Sequence, residues 1–243
     1  MNINALCKLW KQAFGDSDDF LDDFFCVAFS ENRYNVIEKD DQVAAMLYWF
    51  DCAWNGKKVA YIYAVATDEA FRNQGLCRAL MEDTHRKLQQ QGYAGAVLVP
   101  GNRGLFDLYE KFGYVPFCNM QTVTIEAGSE PSDLAKLRHT EYRQRRLSQL
   151  PENSIIPGDL IFTFLATFCE FYEEGDCLFC GGLDEETFYF QEFLGDPARV
   201  PGILKALGAE KGVLHIPGDT PSAMYLPLDG TTECPNHFDI SLS

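Results

Sequence analysis

The stretch from Val59 to Leu88 restricts the fold more than any other part of the chain. Val59-Ala-Tyr-Ile-Tyr-Ala-Val-Ala-Thr67 alternates large and small residues with period two, which predicts a strand. Leu76, Leu80, Thr84 and Leu88 then step by four, with Cys77 and Met81 beside the first two. That is the apolar stripe of a helix, and Gly92 is suited to stop it. Between them lies the tight turn Arg72-Asn-Gln-Gly-Leu-Cys77. A helix that opens on such a turn directs unpaired N–H groups and the positive end of its dipole forward, where a pyrophosphate fits.

The turn resembles the acetyl-CoA signature of the GNAT (GCN5-related N-acetyltransferase) superfamily, Gln/Arg-x-x-Gly-x-Gly/Ala. Arg72 fills its first position and Gly75 its fourth. Cys77 fills the last, where Gly or Ala is usual, and its side chain narrows the approach of a phosphate to the backbone. A second block has the right order and spacing. After the short strand Ala96-Val-Leu-Val99, Leu105 to Tyr114 resembles the family's late helix and its Tyr-x-x-x-Gly-Phe/Tyr ending. The resemblance implies an α/β (α+β) GNAT fold, a mixed twisted sheet flanked by helices.

Length and composition set wider bounds. The 243 residues allow one or two domains, each able to bury a core. The net charge of −16 argues against nucleic acid as a partner, because a phosphate backbone calls for basic surface. No run approaches the ~18 apolar residues that cross a bilayer, and the first residues lack a basic segment followed by an apolar one. Nine scattered cysteines read as reduced, largely buried thiols, so a cytoplasmic protein is expected. Cys177-Leu-Phe-Cys180 has no second pair at zinc spacing, and no metal is expected.

Along the chain, residues 4–14 predict a helix capped by Asn4. A second begins at Asp16 and carries Phe20, Phe24, Phe25 and Phe29. Strands follow over 34–38, 43–51 and 57–67, with Asn55-Gly56 as a hairpin turn. Residues 127–131 read as a linker between a first domain, 1–128, and a second, 129–243. In the second, a basic helix over 133–149 is expected as a solvated face, and another helix from Pro157 to about Tyr172. A hairpin pair, a helix over 197–207 and the strand Gly212–Ile216 repeat the order of the first half. Even the breaks echo, Val97-Leu-Val-Pro-Gly-Asn102 against Val213-Leu-His-Ile-Pro-Gly-Asp219. Where the phosphate turn should recur stands Asp196-Pro-Ala-Arg-Val-Pro-Gly202, whose prolines donate no N–H. A degenerate GNAT-like lobe without a cofactor site is the expectation, an arrangement similar to the first two domains of Eis-type tandem acetyltransferases.

The resemblance also implies the chemistry: an N-acetyltransferase that passes acetyl from acetyl-CoA to a primary amine of a small molecule or peptide by direct attack. Arg72, Gln74, Gly75, Leu76, Cys77 and Arg78 would hold the donor's pyrophosphate. Val65 and Thr67 would pair with its pantetheine arm, Asn102 would touch that arm, and Tyr109 would be the general acid. Phe24, Phe25, Tyr48 and Trp49, with the overall acidity, suggest a cationic acceptor. The base stays open. Tyr61 and Tyr63 stand where relatives use a carboxylate, and Asp51 and the Ser243 terminus are candidates. His85 and His139 are expected on helix surfaces. A homo-oligomer, a catalytically silent acyl-CoA sensor and a transferase with another acyl donor are all compatible with this pattern.

Overall fold

The computed structural model describes residues 2–238, 240 and 242. Helix α1 (Ile3–Phe14) buries Leu6, Leu9 and Trp10 at i, i+3, i+4 spacing. Asn2, not Asn4, caps it, accepting the Ala5 N–H at 3.2 Å, and Gly15 ends it in the left-handed region at φ 77°. Helix α2 (Asp18–Asp23) starts at Ser17, whose hydroxyl accepts from the Phe20 N–H, and Asp18 and Asp19 complement its dipole. It runs on through a wider turn over Phe24–Ala28.

A three-strand meander follows: β1 (Tyr34–Lys39), β2 (Gln42–Trp54) and β3 (Lys57–Thr67). Asp40 and Asp41, then Asn55 and Gly56, turn the chain with positive φ, as two-residue hairpins require. Helix α3 (Leu76–Gln90) leads into β4 (Gly95–Leu98), parallel to β3, and α4 (Arg103–Glu110) into β5 (Val115–Glu126). The second half runs β6 (Ala135–Leu137), α5 (His139–Arg146), β7 (Ile156–Pro157), α6 (Asp159–Leu165), β8 (Glu170–Glu174), β9 (Cys177–Asp184), β10 (Thr187–Leu194), α7 (Val200–Leu207), β11 (Lys211–Pro217) and β12 (Thr220–Pro227).

All of these strands join one twisted sheet, ordered β1-β2-β3-β4-β12-β5-β11-β10-β9-β8-β6, with β7 paired to β2. The last strand, β12, lies between β4 and β5, so the chain closes its first half only after building its second. Pairs β3/β4 and β10/β11 are parallel and the others antiparallel, giving the mixed α/β sheet flanked by helices that the sequence predicts. One face of the first half carries Trp10, Phe24, Tyr48, Phe50 and the tail residues Phe238, Ile240 and Leu242. The other packs Leu80, Met81, Leu88 and Tyr109 against Trp49, Ile62 and Leu98. A third cluster lies under α7.

Three further local expectations differ. The basic stretch is a short strand and then a shorter helix, and Arg146 on it is buried, its guanidinium bonded to both Glu192 oxygens at 2.7 Å. Charge spacing along a helix does not show which cation faces a buried carboxylate. The helix after Pro157 ends at Leu165, because the chain re-enters the sheet at Glu170. All nine cysteines are free and five are buried, but Cys26 is exposed.

Candidate active site

The parallel pairing of β3 and β4 covers only Val59–Tyr61 and Gly95–Val97. Beyond it the strands splay, and Ile62 to Thr67 line a cavity of about 890 Å³. The edge of β3 that faces the cavity thus offers backbone groups to an extended ligand, as a sheet edge offers them to an added strand. A bulge shapes this edge. The β2 register slips between Met46 and Tyr48, Ala64 sits at φ 50°, and Tyr63 and Ala64 both face the same core.

At the end of β3 the chain turns through Asp68 to Gln74 and opens α3 at Gly75, left-handed at φ 77°. Leu76, Cys77 and Arg78 are the first three helical residues, and their N–H groups have no intrahelical acceptor. The Arg72 Nε donates to the Thr67 carbonyl at 3.3 Å, tying the turn to the strand end. Lys39 donates to the Gln74 carboxamide oxygen, and the Gln74 amide donates to the Ala70 carbonyl at 3.4 Å. Of the expected donor-site residues, Val65, Thr67, Arg72, Cys77 and Asn102 line the cavity, and so does Tyr109. Gln74, Gly75, Leu76 and Arg78 belong to the adjoining turn and helix start. Open N–H groups, a positive helix end and a free strand edge form a continuous path that suits a diphosphate with an amide-bearing arm.

Tyr109 on α4 is 6 % exposed and packs edge-on against Phe112 and Tyr114. Among the described residues its hydroxyl has no hydrogen-bond partner, and burial raises its pKa well above the usual phenol value. It is a protonated donor facing the cavity.

The far end of the cavity is aromatic. Trp10, Phe14, Phe20, Tyr63 and Phe168 line it with Asp16, Gln191 and Leu242. The Trp10 Nε1 donates to Asp16 Oδ2 at 2.7 Å, which fixes the carboxylate in the loop between α1 and α2. Tail residue Leu242 donates its N–H to the Tyr61 hydroxyl at 3.2 Å.

The expected acceptor residues lie elsewhere. Phe24, Tyr48 and Trp49 are 1–3 % exposed and belong to the cores, and half-buried Phe25 packs behind Trp10 without lining the cavity. Their helical and strand spacing marks core packing, and apolar rings at those positions face the sheet. Asp51 is not placed as a base. It lies outside the cavity and is held by the Tyr93 hydroxyl, by Arg33 at 3.0 Å and by Lys58 at 3.6 Å. Burial pushes its carboxyl up, but Tyr93, Lys58 and Arg33 outweigh it and the pKa falls. Ser243 lies outside the described residues. His85 is no surface residue: it is half-buried with Nε2 2.9 Å from the Tyr114 hydroxyl, and burial lowers its pKa to about 4. His139 is half-buried, its ring 6.4 Å from that of Phe171. Asp16, Phe14, Phe168 and Gln191 carry no motif. Their separation in sequence hides a convergence that only the fold creates.

The second half has a parallel pair and helix of the same kind, β10–α7–β11, but a different approach to its helix start. The Asp196 carboxylate accepts the Ala198 N–H at 3.0 Å in a short turn before α7, Pro201 withholds one N–H from the first turn of α7, and a Cβ on Gly202 would lie 2.6 Å from the Ser132 hydroxyl. Among the described residues, no three His, Cys, Asp or Glu side chains form a metal-holding group, and no helix is long and apolar enough to cross a membrane.

Comparison with known proteins agrees with this geometry. Residues 2–117 match the family model of the acetyltransferase (GNAT) domain. A GCN5-related N-acetyltransferase from Anabaena variabilis superposes with a TM-score of 0.73 at 17 % identity, over 93 % of this chain and 70 % of that one. A putative acetyltransferase from Pyrococcus horikoshii gives 0.66 at 14 % identity, over 98 % and 89 %. Eis1 from Mycobacterium abscessus gives 0.61 at 12 %, over 93 % and 71 %. At such identities these likenesses show the fold. No curated protein sequence matches the chain.

Proposed function

We propose that this chain, whose residues 2–117 match the acetyltransferase (GNAT) domain model, is a GNAT acetyltransferase that transfers acetyl from acetyl-CoA to a primary amine of a small molecule or peptide. The observation that carries this is one continuous cavity. It runs from the open start of α3, along the free edge of β3, past the Tyr109 hydroxyl, to an aromatic hollow.

The N–H groups of Leu76, Cys77 and Arg78 would hold the diphosphate, and the β3 edge at Val65 and Thr67 would hold the arm, with Asn102 beside it. Bound there, acetyl-CoA supplies a thioester whose C–S bond breaks as the amine nitrogen forms the new C–N bond. The acceptor must be neutral at nitrogen to attack, and an unperturbed alkyl ammonium titrates near ~10.4, so one proton leaves to solvent. Tyr109 gives the sulfur its proton and is reprotonated, through water, by the second proton that the nitrogen loses as the amide forms. Aromatic walls keep water from the reacting atoms.

In this reading residues 1–128 hold the donor. Residues 129–243 form a second lobe of related connectivity without a donor site, and contribute Phe168, Gln191 and Leu242 to the acceptor side. Calorimetry should give one CoA per chain, and an amine panel should show release of free thiol. Two CoA per chain would refute the division of labour. Binding without turnover on any amine would leave an acyl-CoA-binding protein.

A further inference from the structure

The far end of the cavity has features that narrow the acceptor. Two of the chain's large apolar side chains that stay exposed, Phe14 (45 %) and Phe168 (40 %), frame this one hollow. Phe168 follows α6 and Phe14 ends α1, so the fold brings together two wet rings from distant parts of the sequence. Apolar rings held open around a concavity mark a binding surface, because leaving them wet forgoes the gain from burial. Behind them, Phe20 lies 6.3 Å from Trp10 and 5.8 Å from Phe168 by ring centroids, and Tyr63 lies 5.6 Å from Trp10. Their electron-rich faces suit a cation or another ring.

Charge is sparse. Among the described residues that line the cavity, Asp16 is the one carboxylate, and Arg72, at the donor end, is the one cation. Trp10 occupies Oδ2 of Asp16, while among the described residues no side-chain or backbone hydrogen bond uses Oδ1. A single anchored carboxylate can neutralise one ammonium. A polyamine would leave its further charges against rings, and an amino acid would bring a carboxylate that finds no cation at this end; both are costly.

We propose that the acceptor is a monocationic amine with an aromatic or bulky apolar body, its ammonium on Asp16 and its body against Phe14, Phe20 and Phe168. This rests on the donor site proposed above but concerns the opposite end of the cavity, so the two are tested apart. Phenethylamine, an ammonium at neutral pH, is titrated calorimetrically into the full chain with and without saturating CoA, beside spermidine and phenylalanine.

Phenethylamine should bind in at least one condition, and at least about tenfold more tightly than either competitor. Asp16→Asn keeps an oxygen for the Trp10 indole and removes only the charge; it should weaken phenethylamine about tenfold or more at unchanged melting temperature and CoA affinity. Phe168→Ala, at a half-exposed position, should weaken it about fivefold or more. No phenethylamine binding in either condition, preference for spermidine or phenylalanine, or unchanged affinity in a folded Asp16→Asn protein would overturn the proposal. Loss of CoA binding with phenethylamine binding kept would instead overturn the donor site.

Discussion

At the residue scale, Tyr109 is the side chain whose removal should be cleanest. Tyr109→Phe keeps the ring against Phe112 and Tyr114 and deletes a hydroxyl that bonds to no described residue. Folding and CoA affinity should hold, while turnover falls about 10²–10⁴-fold, the range for a lost general acid; single-turnover kinetics on an accepted amine measure it, and a wild-type rate would make Tyr109 a packing residue. Gly75 tests the donor end. No neighbour lies within 4 Å of where its Cβ would be, so φ, not space, requires glycine. Gly75→Pro cannot adopt φ 77° and should weaken CoA binding by more than about tenfold in calorimetry. His85 gives a pH signature. Tyr114 is fully buried, and its hydroxyl shares a hydrogen bond with His85 Nε2. An unfolded imidazole titrates near 6.5 and the folded one near 4. As pH falls through that window the unfolded chain takes up a proton that the folded chain refuses, so stability drops, by up to ~3 kcal/mol. His85→Gln keeps a hydrogen-bonding partner for Tyr114 and should flatten the loss in urea midpoints compared at pH 7 and 4.5.

At the element scale, what could be read from the sequence was what is local. The turn from Arg72 to Cys77 and the stripe Leu76-Leu80-Thr84-Leu88 occupy consecutive residues, so their spacing reports their geometry directly. The bulge in β3 escaped, because alanines at 64 and 66 satisfy simple alternation although Tyr63 and Ala64 face one side together. Ala64 stores strain at φ 50°. Ala64→Val, β-branched at positive φ, should cost about 2 kcal/mol in denaturant unfolding and weaken donor binding as the edge straightens. Phe24 and Tyr48 lie in the core for a complementary reason: aromatic periodicity tells that a face is covered, not whether a sheet or a ligand covers it. Asp16, Phe168 and Gln191 could not be found by spacing at all, since they meet across some 150 residues of chain.

At the scale of the whole molecule, the division at residue 128 read from the linker is a proposed division of function, and folding crosses it. β12 fills the place between β4 and β5, and Gly95 leaves room for the Tyr225 ring, whose hydroxyl would lie 2.0 Å from a Cβ there. Phe238, Ile240 and Leu242 complete the core beside Tyr61. A chain cut after residue 128 should therefore lack cooperative unfolding by circular dichroism, whereas an independently folding fragment with full CoA affinity would contradict this. Gly95→Ala should destabilise the intact protein by about 1–3 kcal/mol, as overpacked cores do. The placement of β12 also sets a clock on the ribosome. At roughly 5–20 residues per second, translation takes on the order of 5–20 s to pass from the end of β5 to the start of β12. During that interval the nascent chain already carries the whole turn from Arg72 to Cys77 but exposes the flanks of β4 and β5, two open edges that any neighbouring polypeptide could pair with. In the reading proposed above the donor pocket is finished only once β12 and the residues to Leu242 have been made, so the interval before that is when a chaperone would matter most.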